Sequence, residues 1–147
     1  MKKIMIYLTI MLCTTVAATA QQSEVFVTKG FAIKGYDPVA FYTQSKAVHG
    51  YDSLAYKWNT ATWLFASDSN RIAFAQNPQK YAPQYGGYCA YGVATNHKAP
   101  TETDTWTILN NKLYFNYNSK VKTEWTKQQD ALIQKADTNW VAIKNAE

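Results

Sequence analysis

Beyond residue 20 the sequence holds one cysteine, Cys89. No internal disulfide can brace a fold built from residues 21–147, so packing alone must hold it together. The material is present. Aromatic residues make up 15% of the chain, and about 127 residues suffice for one domain around one core.

Residue 20 is the expected boundary because the N-terminus reads MKKIMIYLTIMLCTTVAATA. Lys2 and Lys3 precede an apolar run that ends in Ala18-Thr19-Ala20, the three-part layout of a signal peptide. The run from Ile4 to Val16 is shorter than the roughly 20 residues a bilayer span requires, and no later stretch replaces it. Leu12 before Cys13 does not suit a lipoprotein signal. The sequence therefore predicts a signal peptide at 1–20, a single domain at 21–147, and an exported protein, periplasmic or secreted, with no membrane span after cleavage. Losing two lysines lowers the formal charge from +5 to 13 basic against 10 acidic residues. With no run of Lys or Arg, this mild excess argues against nucleic acid or an anionic surface as partner.

Local patterns predict short elements. Asp37 before Pro38 reads as the cap of a short helix. Tyr51–Trp58 and Thr62–Ala66 read as a hairpin, as do Thr105–Leu109 and Leu113–Tyr117 around Asn110-Asn111. A helix capped near Ser67 stops before Pro78, and a short one runs through Cys89 to Val93. From Ser119 to about Lys144, apolar residues recur at helical spacing, giving one long or broken amphipathic helix. The expected fold is α+β: antiparallel hairpins packed with short helices and a longer C-terminal helix.

The densest chemistry lies in YAPQYGGYCAYG, residues 81–92. Tyr81, Tyr85, Tyr88 and Tyr91 recur at intervals of four, three and three, which on helical turns would share a face. Gly86 and Gly87 permit close approach of a ligand or of another backbone. Cys89 reads in three ways: a buried packing residue, a ligand to a metal or cofactor, or a reactive thiol. His97 stands in a polar loop and His49 in a turn. HExxH, CxxC, GxSxG and a phosphate loop are all absent.

GYDPVAFY (35–42), TWLFASDSNRIAFAQNPQKYAPQYGGYCAYGVA (62–94) and WTILNNKLYFNYN (106–118) together resemble the YHS domain in its stand-alone exported form. Members of that family resemble small cysteine-based metal modules. One cysteine follows Asp-Pro-Val and two lie in a Phe-Cys-Ser-x-x-Cys-x-x-x-Phe pattern. Asp37, Pro38, Val39, Phe65, Ser67 and Phe74 match, whereas the cysteine positions hold Ala40, Ala66 and Asn70. Alanine cannot ligate a metal, and an amide is a poor replacement for thiolate toward copper or zinc.

The resemblance implies a non-enzymatic exported binding module, with a transition-metal ion such as copper or zinc as the first ligand class. A rebuilt site would use Cys89 and His97 as ligands. Tyr36, Asp37, Tyr85, Gly86, Gly87 and Tyr88 would be its walls. The alternatives are a structural or protein-interaction module with a buried Cys89, and a thiol-active protein or enzyme.

Overall fold

The computed structural model describes residues 23–146, so the signal-peptide reading lies outside the described residues. The chain folds as a small α+β domain. Strands β1 (Val27–Thr28) and β2 (Phe31–Ala32) lead through a 3-10 turn to helix α1 (Pro38–Thr43). A hairpin of β3 (Tyr51–Trp58) and β4 (Ala61–Phe65) follows, then α2 (Asp68–Gln76) and α3 (Pro78–Tyr81). After a second 3-10 turn at Gln84–Gly87 come α4 (Ala90–Ala94), the hairpin β5 (Glu102–Leu109) and β6 (Lys112–Asn116), and helices α5 (Ser119–Lys127) and α6 (Gln129–Ile143).

Local chemistry sets these boundaries. Ser67 accepts a hydrogen bond from the Asn70 amide at 3.2 Å and starts α2. Asn77 ends α2 and caps α3, accepting from the Lys80 amide at 3.2 Å, with Pro78 at the first helical position. The second hairpin turns on Asn110 and Asn111, both at positive φ. Asn59 and Thr60 turn the first hairpin with φ of 48° and 62°. For the β-branched Thr60 that geometry costs on the order of 1 kcal/mol, which the paired strands must offset. The C-terminal helix is broken at Gln128, whose non-helical φ of −134° and ψ of 34° separate α5 from α6.

Four strands form one sheet in the order β1-β2-β4-β3, with β2 parallel to β4 through Phe31 and Thr62; β5 and β6 form a separate ribbon. Alternation along β6 then divides the interior. Leu113 and Phe115 pack into a core with Trp63, Phe65 and Phe74. Tyr114 points the other way, into a second core with Trp125, Leu132 and Ala136 from the C-terminal helices. Phe74 is fully buried amid the rings of Tyr56, Trp58, Trp63 and Phe65, with centroids 5.1–6.3 Å away.

The four tyrosines of 81–91 do not share a helical face. Tyr85 and Gly86 have φ of 55° and 61°, which breaks the helical path. Tyr81 meets Tyr42 edge-on at 5.6 Å in one core, while Tyr85 packs on Tyr114 and Trp140 in the other.

Candidate functional site

Gly86 does admit a close approach, and the chain's own N-terminal arm makes it, whereas Gly87 faces the Ile33 side chain. The Phe26 amide donates to the Gly86 carbonyl at 2.9 Å. A Cβ on Gly86 would run into the carbonyl oxygen of Glu24. The Tyr88 hydroxyl donates to the Ser23 carbonyl at 2.8 Å, and its ring packs on Phe26 and Trp140. Gly87 contributes its carbonyl to Thr101 Oγ1 at 2.9 Å.

Laying the arm across this turn leaves a cleft of about 280 Å³ beside it. Its aromatic walls are Trp58 and Trp63 from the first hairpin, Tyr85 from the turn, and Trp140 from α6. Glu24 from the arm and Asp137 from α6 supply carboxylates, and Asn59, Gln79 and Gln84 supply amides. Inward alternation along β3 places Leu54, Tyr56 and Trp58 on one face. Trp63 Nε1 donates to the Trp58 carbonyl at 3.0 Å and locks the two indoles together. The Tyr85 hydroxyl donates to Asp137 Oδ1 at 2.8 Å. Burial, and then this bond, push the Tyr85 phenol well above its ordinary pKa. The described residues lining the cleft include no Cys, Ser, Thr, His, Lys or Arg. They offer stacking faces and hydrogen-bonding groups, with no conventional nucleophile among them.

Cys89 lies elsewhere. The residue is 1% exposed, and its Sγ accepts from the amides of Tyr117 at 3.2 Å and Gly92 at 3.4 Å, capping α4. Burial raises the thiol pKa, and these backbone donors only partly offset it. His97 is exposed on the turn after α4, with Nδ1 3.2 Å from Thr95 Oγ1. Among the described residues, no three His, Cys, Asp or Glu side chains are grouped so as to hold a metal ion. His49 is exposed, and its ring meets Tyr36 edge-on at 5.1 Å.

Of the anticipated walls, Tyr85 and Gly86 line the cleft, whereas Tyr36, Asp37, Gly87 and Tyr88 do not. Asp37 is fully buried. Its Oδ1 accepts from the Val39 and Ala40 amides at 2.8 and 3.3 Å. Its Oδ2 accepts from the Ala66 amide at 2.9 Å and from Asn70 Nδ2 at 2.7 Å. Donors from Ala40, Ala66 and Asn70 thus converge on one carboxylate, which with the Val39 amide accepts four hydrogen bonds.

Cleft residues that the sequence did not mark as site candidates include Trp58, Trp63, Trp140, Glu24 and Asp137. One signal for part of this set was available. Asp137 and Trp140 are spaced three apart, so a single helix places them on one face. Comparison of the chain with family models, with curated proteins and with solved structures gives no match.

Proposed function

We propose that this chain is a non-enzymatic binding module of YHS type, exported from the cell, whose ligand seat is the aromatic cleft between the N-terminal arm, the first hairpin and α6. The observation that carries the reading is the composition of that cleft: among the described residues, three indoles, a phenol, two carboxylates and three amides surround about 280 Å³. Small-molecule sites combine apolar and aromatic walls with a few convergent polar groups in this manner. The YHS-type scaffold is supported by the motif order and by the meeting of Ala40, Ala66 and Asn70 at Asp37. The same meeting argues against the thiolate chemistry of cysteine-bearing members, because a hydrogen-bonded carboxylate stands at the centre. The buried Cys89 fits a packing role.

The test is a titration of the protein with saccharides, organic cations, carboxylates and neutral aromatics, reading the indole N–H resonances. At least one class should shift Trp58 and Trp140 saturably and leave the buried Trp125 unmoved. If none does, or if Cu(I) binds stoichiometrically through Cys89 and His97, the reading is overturned.

A further inference from the structure

The cleft also carries an argument about the chemistry of its ligand, which rests on the reading of it as a ligand seat. Its ring systems come in two pairs. Trp58 and Trp63 lie 5.9 Å apart between centroids on the hairpin side, and Tyr85 and Trp140 lie 6.0 Å apart on the side of the turn and α6. Electron-rich ring faces attract a cation held within about 6 Å, indole most strongly. The two carboxylates reach the same space from different elements, Glu24 from the arm and Asp137 from α6. Asp137 spends one oxygen on the Tyr85 hydroxyl, which fixes the carboxylate and leaves Oδ2 for a ligand.

No cationic side chain among the described residues lines the cleft. Lys98, the ammonium that feels the charge of Glu24, donates to the carbonyls of Ser23 and Lys144. The chain's positive net charge does not decide the matter. Charges farther than about 8 Å are largely screened at physiological ionic strength, so the lining outweighs the rest of the surface.

We propose that the cleft binds a small organic cation, an alkylated or primary ammonium group seated between the indole faces and charge-paired with Glu24 and Asp137. A neutral saccharide would use the amides and the ring faces but would draw no charge attraction from the two carboxylates. The amides of Asn59, Gln79 and Gln84 suit a hydroxyl or carbonyl carried on the same ligand.

Choline, its uncharged isostere 3,3-dimethylbutan-1-ol, and methyl β-glucoside separate the alternatives when titrated into the protein. Choline should shift the Trp58 and Trp140 indole N–H signals saturably, with the isostere at least about tenfold weaker. The isosteric variants Glu24→Gln and Asp137→Asn should each weaken choline roughly three- to tenfold while leaving the Trp125 signal in place, which shows that the fold is intact. If the isostere or the glucoside binds as tightly as choline, the cation assignment falls and the cleft stands as a ligand seat. If choline produces no shift, the assignment falls too, and the wider probe panel decides the seat independently.

Discussion

The Tyr85 hydroxyl donates to Asp137 Oδ1 across 52 residues of sequence, at 2.8 Å, and fastens the glycine turn to α6 at the wall of the cleft. The bond requires a protonated phenol. Tyr88 and Tyr114 are likewise raised by burial, and Tyr42 is lifted from 10.0 to about 12, chiefly by desolvation. Below pH 10 a phenol with a raised folded pKa is neutral in both states and leaves stability unchanged. Between about pH 10 and 12 the unfolded chain ionises first, so stability must fall as pH rises. Denaturant midpoints over pH 8–12, with phenolate absorbance, should show that loss together with late-titrating tyrosines. Midpoints that stay level through pH 12 would contradict it.

Gly86→Ala places a methyl group against the Glu24 carbonyl at a residue already in the left-handed region, where a side chain costs roughly 1–2 kcal/mol. The variant should expel the arm. Hydrogen exchange at the Phe26 amide, bonded to Gly86 in the native chain, should accelerate more than exchange within β6. Uniform acceleration would mean that the arm is no separate unit.

Cys89 should be silent toward a thiol reagent in the native state and react when the chain is denatured, because it is 1% exposed and its pKa is raised by burial. Cys89→Ala removes the acceptor for the Gly92 and Tyr117 amides and should cost about 1–3 kcal/mol. Rapid native modification would restore the reactive-thiol reading.

Asp37→Ala strands the Ala66 amide and the Asn70 side chain and removes the cap of α1. A loss of about 2–4 kcal/mol is expected, with Asn70→Ala costing less because the backbone donors to Asp37 remain. Equal costs for the two variants would show that the bond to Asn70 dominates the cluster.

Much of the fold was legible because its signals are local. Ser67 and Pro78 announce the limits of α2, and the Asn110-Asn111 pair announces a hairpin. The site was less so. Gly86 marked a close approach, but sequence cannot tell a ligand from the chain's own arm. Nor does it show that Trp58 and Trp140, 82 positions apart, line one cleft, since that depends on how α6 docks on the turn. Cys89 drew notice for its chemistry, while its environment seals it. Asp37, legible as the cap of α1, is also a buried acceptor that joins α1 to the start of α2.

The most direct measurement is a crystal structure of the protein grown with a saturating amount of the strongest binder from the probe panel. The account predicts that molecule between the rings of Trp58 and Trp140, with a polar atom in reach of Glu24 or Asp137. A ligand seated at Cys89 and His97, with the cleft holding only solvent, would contradict it.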